Sequence, residues 1–173
     1  MKHQSFCIFI IFYMFINTAV PFITKIQCST SEARTCIEPF CFFTNNTADG
    51  VSANYGCKEL SRPLNKINVH FKLYTKMYSQ YFQVGYFPKF DYCTFIENID
   101  KQNLLYYGVK LMKERLPESI RECPYIGKQL QVRNLNLTSD DLTFLPAGKY
   151  KVVCTFSDDD DYKILRMVTH VKI

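Results

Sequence analysis

The sequence predicts a mainly β protein, built as a sandwich of short strands and held together by disulfides. Apolar and polar residues alternate along several segments, and turn residues such as Ala48-Asp49-Gly50 and Pro146-Ala147-Gly148 separate these segments. The 173 residues include eight cysteines, and all except Cys7 follow an apolar N-terminal segment. This length suits one domain with its own core, and this cysteine usage is typical of proteins from an oxidising compartment.

The N-terminus has the layout of a secretory signal peptide. A short basic start precedes an apolar run over residues 6–16, and Asn17-Thr18-Ala19 follows it. We expect cleavage after Ala19, which gives a signal peptide over residues 1–19 and a secreted domain over residues 20–173. The alternative is a membrane anchor that continues to Ile23, but polar residues and a proline interrupt the run before it reaches the roughly 20 residues of a span. The sequence therefore predicts an extracellular protein with no stable membrane anchor after cleavage.

The clearest strand signal lies at residues 66–74. One face of this segment is apolar and the other is polar, which is the period-two pattern of a half-buried strand. The apolar face consists of Ile67, Val69, Phe71 and Leu73, and the polar face consists of Lys66, Asn68, His70 and Lys72.

A second pair of strands is predicted near the C-terminus. Two alternating runs flank the acidic residues 158–161 and indicate an antiparallel hairpin. The first run places Tyr150, Val152, Cys154 and Phe156 on one face, and the second places Leu165, Met167, Val171 and Ile173 on one face. Weaker strand signals lie at residues 24–28, 41–44, 50–57, 83–95 and 129–137.

One segment has the period of a helix. Between residues 100 and 116, the apolar residues Leu105, Val109, Met112 and Leu116 recur at steps of four, three and four, and Pro117 ends the pattern. This amphipathic helix lies between Cys93 and Cys123. A disulfide between those two cysteines would hold the helix across the sandwich as a flap.

Charge and titratable residues argue against several functional classes. The formal net charge is +5, but basic residues are interspersed with acids from Lys58 onward, so no stripe is predicted to bind nucleic acid. No cysteine pair has CxxC spacing and no histidine lies near a cysteine, so neither a metal nor another cofactor is predicted. After signal removal only His70 and His170 remain, each on the polar face of its strand and each interpreted as a surface residue. We therefore predict that the protein is not an enzyme.

Two further patterns concern the surface. The aspartates at residues 158–161 are candidates for calcium, but four consecutive carboxylates in a tight hairpin cannot all point at one ion, so a solvated turn is predicted. The sequons at residues 45–47 and 136–138 predict N-glycosylation at Asn45 and Asn136.

Several segments also resemble, in order, the landmarks of a large insect family of secreted proteins. These segments are FDYCTF at residues 90–95, CPYIG at residues 123–127 and LPAGKY at residues 145–150, preceded by Ile26-Gln27-Cys28, Cys41 and VHFKLY at residues 69–74. The family is DUF1091, which is similar to the MD-2-related lipid-recognition (ML) fold. The resemblance extends over residues 22–173.

The resemblance implies both a fold and a class of ligand. The implied fold is an immunoglobulin-like two-sheet β-sandwich whose sheets splay apart around a lipid, a sterol or another hydrophobic guest. Some insect members of related groups are associated with gustatory or pheromone-sensing tissue, which adds a pheromone-like molecule to the candidate ligands.

The resemblance also implies a disulfide pattern. Cys28, Cys41, Cys93 and Cys123 match the recurrent cysteines of the family, and the implied pairs are Cys93 with Cys123 and Cys28 with Cys41. The partners of the additional cysteines, at positions 36, 57 and 154, stay open. The odd number of cysteines after the signal peptide leaves one thiol free or paired to another chain.

Two functions follow as hypotheses. The first is a secreted carrier or presenter of a hydrophobic ligand in a cavity between the sheets, with a role in chemosensation. The second is a secreted protein–protein interaction module with a filled core, whose partner could be a cell-surface receptor. Alternation along a strand does not distinguish a hollow sandwich from a filled one. The predicted lining residues are Val69, Phe71, Leu73, Tyr92, Val152, Phe156 and Met167, with Leu105, Val109 and Met112 as a lid.

Overall fold

The structure, a computed structural model, describes residues 22–30, 35–46, 50–97, 110, 114, 124, 130–137 and 145–173. These residues form eight strands and one short helix, α1, at Tyr92–Glu97. The strands are β1 (Phe22–Ser29), β2 (Cys36–Asn46), β3 (Gly50–Leu60), β4 (Asn68–Met77), β5 (Gln80–Asp91), β6 (Leu130–Leu137), β7 (Lys149–Ser157) and β8 (Lys163–Lys172).

The strands form two antiparallel sheets. The larger sheet has five strands in the order β1-β8-β7-β4-β5, and the smaller sheet has three in the order β2-β3-β6. The predicted two-sheet β-sandwich is therefore confirmed. The C-terminal hairpin is also confirmed, because β7 pairs with β8 and Cys154 lies opposite Met167.

Strand β4 of the larger sheet corresponds to the clearest strand signal of the sequence. It pairs with β5 on one side and with β7 on the other. Phe71 lies opposite both Phe87 and Cys154, and Leu73 lies opposite both Gly85 and Val152. Because paired residues of an antiparallel sheet share a face, these side chains all lie on the inner side, toward the smaller sheet.

One strand ends earlier than the sequence pattern indicates. The strand expected over residues 83–95 stops at Asp91, and α1 replaces its last residues. The Asp91 carboxylate accepts hydrogen bonds from the backbone N–H of Cys93 (3.0 Å) and from the hydroxyl of Thr94 (2.9 Å). An aspartate in this position caps the N-terminus of a helix, which explains why alternation gives way to a helical turn here.

The helix expected at residues 100–116 lies outside the described residues, except for two positions. Lys110 and Glu114 are helical, and the Lys110 Nζ lies 3.7 Å from the Glu114 Oε1. Leu105, Val109 and Met112, the expected lid, are not among the described residues, so this part of the hypothesis stays a prediction.

The core lies between the sheets in two clusters. One cluster is centred on Cys57, Ile67 and Leu165, each at most 1% exposed. The other is smaller and contains Ile23, Val51, Ala53, Leu135 and Val171. The smaller sheet contacts the larger one mainly through β1 and β8.

Disulfides reinforce this edge. Cys28 and Cys41, which the resemblance pairs, are joined, and their bond links β1 of the larger sheet to β2 of the smaller one. Cys36 and Cys57 form a second disulfide, between β2 and β3. Cys93 is also disulfide-bonded, but its expected partner Cys123 lies outside the described residues.

Among the described residues, the free thiol is that of Cys154. This cysteine lies in β7 on the inner face and is 8% exposed. Burial raises the pKa of its thiol to about 12, so the side chain is neutral at physiological pH. Because it lies in the core, Cys154 is not placed to pair with another chain.

The interpretation of residues 158–161 as a solvated turn is wrong for its first residue, since Asp158 is only 2% exposed. Its carboxylate accepts hydrogen bonds from the guanidinium of Arg62 (2.5 Å) and from the backbone N–H groups of Asp160 (3.1 Å) and Tyr162 (2.9 Å). Its carbonyl oxygen accepts from Asn68 Nδ2 (2.9 Å). Asp158 therefore fastens the β7–β8 turn to the start of β4, with charge-assisted bonds that compensate its burial.

Gly56 is predicted to be indispensable for the smaller sheet. Its φ is +151°, and an added Cβ would overlap the carbonyl oxygen of Leu130 and lie 2.6 Å from Gln131 Cα. We expect Gly56→Ala to destabilise the protein by more than about 2 kcal/mol, because the obstacle is backbone of β6. Denaturant unfolding measures this. Gly148→Ala is the control, since its nearest contact is an ordinary 3.5 Å to the Tyr150 ring; equal losses for both variants would contradict the analysis.

Asp158 is predicted to stabilise the fold more than its neighbours do. We expect Asp158→Ala to lower the free energy of unfolding by about 2–4 kcal/mol, because the backbone N–H groups of Asp160 and Tyr162 and the guanidinium of Arg62 lose their acceptor. Asp159→Ala, at an exposed position of the same turn, should change it by less than about 0.5 kcal/mol. Thermal and urea unfolding of both variants provide the test, and a loss confined to Asp159→Ala would contradict it.

Candidate functional site

The candidate site is an apolar surface on the inner face of the larger sheet, at the edge formed by β4 and β5. We call it the apolar strip, and its residues are Phe71, Leu73, Phe82, Phe87 and Val152. The strand register places all five on one face, because Phe82 lies opposite Thr75, two residues after Leu73. Three of the five are phenylalanines.

Exposure increases along the strip. Val69 and Cys154, which adjoin the inner end of the strip, are 7% and 8% exposed, as expected for a closed core. Phe71, Leu73 and Val152 are only half-buried, and Phe82 is 44% exposed. The interior of the sandwich therefore opens toward solvent at this edge.

The unequal size of the sheets explains the opening. The larger sheet has two more strands than the smaller one, and the smaller sheet packs against β1 and β8. Since neighbouring strands lie about 4.8 Å apart, on the order of 10 Å of the inner face extends beyond the smaller sheet. Among the described residues, the smaller sheet does not extend over the strip, which lies at the β4–β5 edge.

Local packing gives the strip its shape. The rings of Phe71 and Phe87 meet edge to face with their centroids 5.4 Å apart, a favourable aromatic geometry. Gly85 lies beside Leu73, and a Cβ at this position would lie 3.2 Å from the Leu73 Cβ. The glycine therefore allows β5 to approach Leu73 closely and leaves a gap between two phenylalanines of the strip.

Two titratable side chains of the interior beside the strip, Tyr55 and Cys154, are neutral at physiological pH. Burial raises the pKa of the Tyr55 hydroxyl, and the neighbouring Cys154 and Tyr92 raise it further. The Cys154 thiol is likewise protonated at physiological pH. Among the described residues, no group of three or more histidine, cysteine, aspartate or glutamate side chains is placed to hold a metal ion. The chemistry that this face offers is therefore apolar contact.

The structure separates the predicted lining residues into two sets. Val69 and Met167 belong to the closed core, and Tyr92, Phe156 and Phe71 are partly buried side chains that pack against it. Leu73 and Val152 are half-buried and lie farther along the same face. These positions bring the predicted residues to one face of the sandwich, while their role in lining a cavity stays a prediction.

Sequence reasoning missed the contribution of β5. Phe82 and Phe87 join the strip, but two irregularities in the β4–β5 register, at Val69/Phe71 and Leu73/Tyr74, shift the faces of β5. Simple alternation therefore assigns these residues incorrectly. The aromatic content of β5 around Gly85 is the signal that could have indicated them.

The predicted glycosylation sites lie on the smaller sheet. Asn136 follows the buried Leu135 in β6 and is partly exposed, and Asn45 lies near the end of β2. Glycosylation at both stays a prediction. No helix among the residues that the structure describes is long and apolar enough to cross a membrane.

Comparisons with known proteins give a match to a family model and similar solved structures. A search of curated proteins finds no match to this chain. The crystal structure of a Niemann-Pick type C2 protein from Japanese carpenter ant is similar to it, at 16% sequence identity and a TM-score of 0.30, over 87% of this chain and 90% of that chain.

The family comparison concerns the segment from β4 to β7. The model of the family described as protein of unknown function (DUF1091) matches residues 69–152. This segment begins within β4 and includes every residue of the apolar strip. Over residues 69–152 the chain therefore matches the DUF1091 family, which is the family that its sequence resembles.

Proposed function

We propose that this protein binds a hydrophobic molecule, such as a lipid or a sterol, along the apolar strip and without covalent chemistry. The observation that carries the proposal is the change in exposure along one face. Val69, Cys154 and Met167 are at most 9% exposed, whereas the adjoining aromatic residues are half-buried and Phe82 is 44% exposed. Apolar side chains that continue from a core onto an uncovered face mark a binding surface.

The energetics suit an apolar guest. Burial of apolar surface contributes about 25 cal/mol per Å², so a ligand that removes about 300 Å² from water gains roughly 7 kcal/mol before the entropic cost of association. The phenylalanines also supply contact area with few rotatable bonds. A neutral interior at Cys154 and Tyr55 adds no charge that would repel an acyl chain or a sterol ring.

The same proposal includes the setting of the protein. Two disulfides among the described residues favour an oxidising compartment, so we propose a secreted protein whose signal peptide is removed after Ala19. In this setting it would carry or present its ligand, with a cell-surface receptor in chemosensory tissue as the proposed recipient. The alternative function, an interaction module with a filled core, needs no ligand on the strip.

Ligand binding is predicted to depend on the strip. We expect a fluorescent fatty acid or a fluorescent sterol to bind the purified protein, and Leu73→Gln and Phe82→Gln each to weaken that binding roughly tenfold, because each removes apolar contact worth about 1–2 kcal/mol. Fluorescence titration measures the affinities. Native mass spectrometry of protein secreted by animal cells should also detect a co-purified lipid.

The control is Tyr86→Gln. Tyr86 is an exposed aromatic residue that lies in β5, like Phe82, but on the opposite face of the sheet. This substitution should leave the affinity of both probes within about twofold. If native mass spectrometry shows only the bare polypeptide and neither probe binds, the carrier function is wrong and the interaction module is favoured.

Processing is predicted at the N-terminus. Protein secreted by animal cells should begin at Val20. Enzymatic removal of N-glycans should lower its mass by the mass of two glycans, and Asn45→Gln and Asn136→Gln should each leave only one glycan to remove. N-terminal sequencing and intact-mass measurement provide the test. Retention of residues 1–19 in the product would contradict secretion through a cleaved signal.

A further inference from the structure

The strands of the larger sheet contain several basic residues and almost no acidic ones. Each of its five strands carries at least one lysine, and Asp91 at the end of β5 is the only acidic residue in these strands. The Asp91 carboxylate is occupied by the N-terminus of α1. Acidic groups near the sheet lie instead in the β7–β8 turn, where Asp158 pairs with Arg62 and Asp161 pairs with Lys89.

The strand register orders the basic groups into rows across the outer face of the larger sheet. One row contains His70, Thr155 and Arg166, and the next contains Lys72 and Val153. Residues in register on neighbouring antiparallel strands have their Cβ atoms about 4.5–5.5 Å apart, so these five side chains are close neighbours. They come from β4, β7 and β8, which are paired over this whole region.

These side chains, together with Tyr74, enclose a pocket of about 110 Å³. Val153 is 8% exposed although it points away from the core, so it forms the floor beneath longer neighbours. A single water molecule needs on the order of 10–15 Å³ of such space, so the pocket has room for a small polyatomic ion. Sequence alternation gave no indication of it, because it treats the outer face as uniform solvated surface.

Among the described residues, no carboxylate pairs with the basic side chains at the pocket. Within the part of the chain that the structure describes, neither Lys72 nor Arg166 forms an ion pair. The Nε2 atom of His70, also at the pocket, is buried and lacks a hydrogen-bond partner. A buried polar atom without a partner is rare in proteins and indicates a missing ligand or water.

The neighbouring row of the face differs, because the protein satisfies its charges internally. The Nζ of Lys151 lies over the rings of Tyr74 and Tyr81, 4.3 and 4.7 Å from their centroids. The Tyr81 hydroxyl is hydrogen-bonded to His170 Nδ1 at 3.0 Å. His170 is thus half-buried and engaged, unlike the free surface residue that the sequence predicts. Lys72 and Arg166 therefore remain as the cations available for a ligand.

We propose that this pocket binds a phosphate-like oxyanion through Lys72, Arg166 and the Thr155 hydroxyl. Arginine presents paired N–H donors to two oxygens, lysine adds a point charge, and a hydroxyl donates a third hydrogen bond. The site lies on the opposite side of the sheet from the apolar strip, so it does not depend on the function proposed above. The oxyanion is either free in solution or the headgroup of a phosphomonoester lipid.

The lowered pKa of His70 is consistent with this assignment. Burial lowers the pKa of the His70 imidazole, and the positive charge of Lys72 lowers it further. The groups that face the ring are Lys72 on β4, Tyr86 on β5, whose ring lies edge-on at 5.2 Å, Thr155 on β7 and Arg166 on β8, and none of them is acidic. The pocket thus has cationic groups without a counter-charge, which a bound oxyanion would supply.

The test is a titration of the mature secreted protein with inorganic phosphate, at ionic strength held constant with chloride, while NMR follows the His70 ring protons. We expect a saturable shift. Lys72→Gln and Arg166→Gln should each weaken the affinity roughly tenfold, and Thr155→Val should weaken it severalfold while retaining the shape of the side chain. Lys25→Gln removes the same charge from the same face outside the pocket and should change the affinity less than about twofold.

A second arm distinguishes the two sources of the oxyanion. Co-sedimentation with vesicles of phosphatidylcholine plus phosphatidic acid, but not of phosphatidylcholine alone, would identify a lipid headgroup if Arg166→Gln abolishes it and Lys25→Gln does not. Binding of inorganic phosphate without vesicle binding would identify a free oxyanion. Absence of both, or equal losses for Lys25→Gln and Arg166→Gln, would overturn the proposal.

Discussion

The double pairing of β4 is the constraint on which the rest of the molecule depends. Because β4 is hydrogen-bonded to β5 on one side and to β7 on the other, its register is set twice, and no residue of it can change face. Phe71 and Leu73 are consequently held toward the smaller sheet, and His70 and Lys72 are held away from it. One strand thus contributes to both an apolar surface and a basic one, and the thickness of a single sheet separates them.

The shape of the sandwich follows from where its sheets are joined. The Cys28–Cys41 disulfide and the buried residues of β1 and β8 hold the two sheets together at one edge. Three strands cannot cover five, so the opposite edge of the larger sheet keeps its apolar inner face partly uncovered. The crosslinked edge keeps the sheets together, and the aromatic edge is where the proposed apolar ligand would bind.

The placement of acidic residues has an equally specific consequence. Asp158 is used inside the molecule, where it compensates Arg62 and the backbone of the β7–β8 turn, and Asp91 is used to begin α1. Since these carboxylates are committed at the ends of strands, the middle of the outer face retains its lysines and arginine without acidic partners. The same aspartates that stabilise the turn and the start of α1 are therefore not available to neutralise the basic side chains of the outer face.

The amino-acid sequence by itself determined the class of fold, strand β4, the C-terminal hairpin and the resemblance to the DUF1091 family, because period-two alternation and ordered motifs are local properties of the chain. It did not determine the helix at Tyr92, the faces of Phe82 and Phe87, or the partners of Cys36 and Cys57. These depend on an aspartate cap, on irregularities in the register between two strands, and on which strands become neighbours. Only the tertiary structure decided that Asp158 is buried and that His70, Lys72 and Arg166 share a pocket, because those side chains come from segments that are distant in sequence and meet only once the sheet has formed.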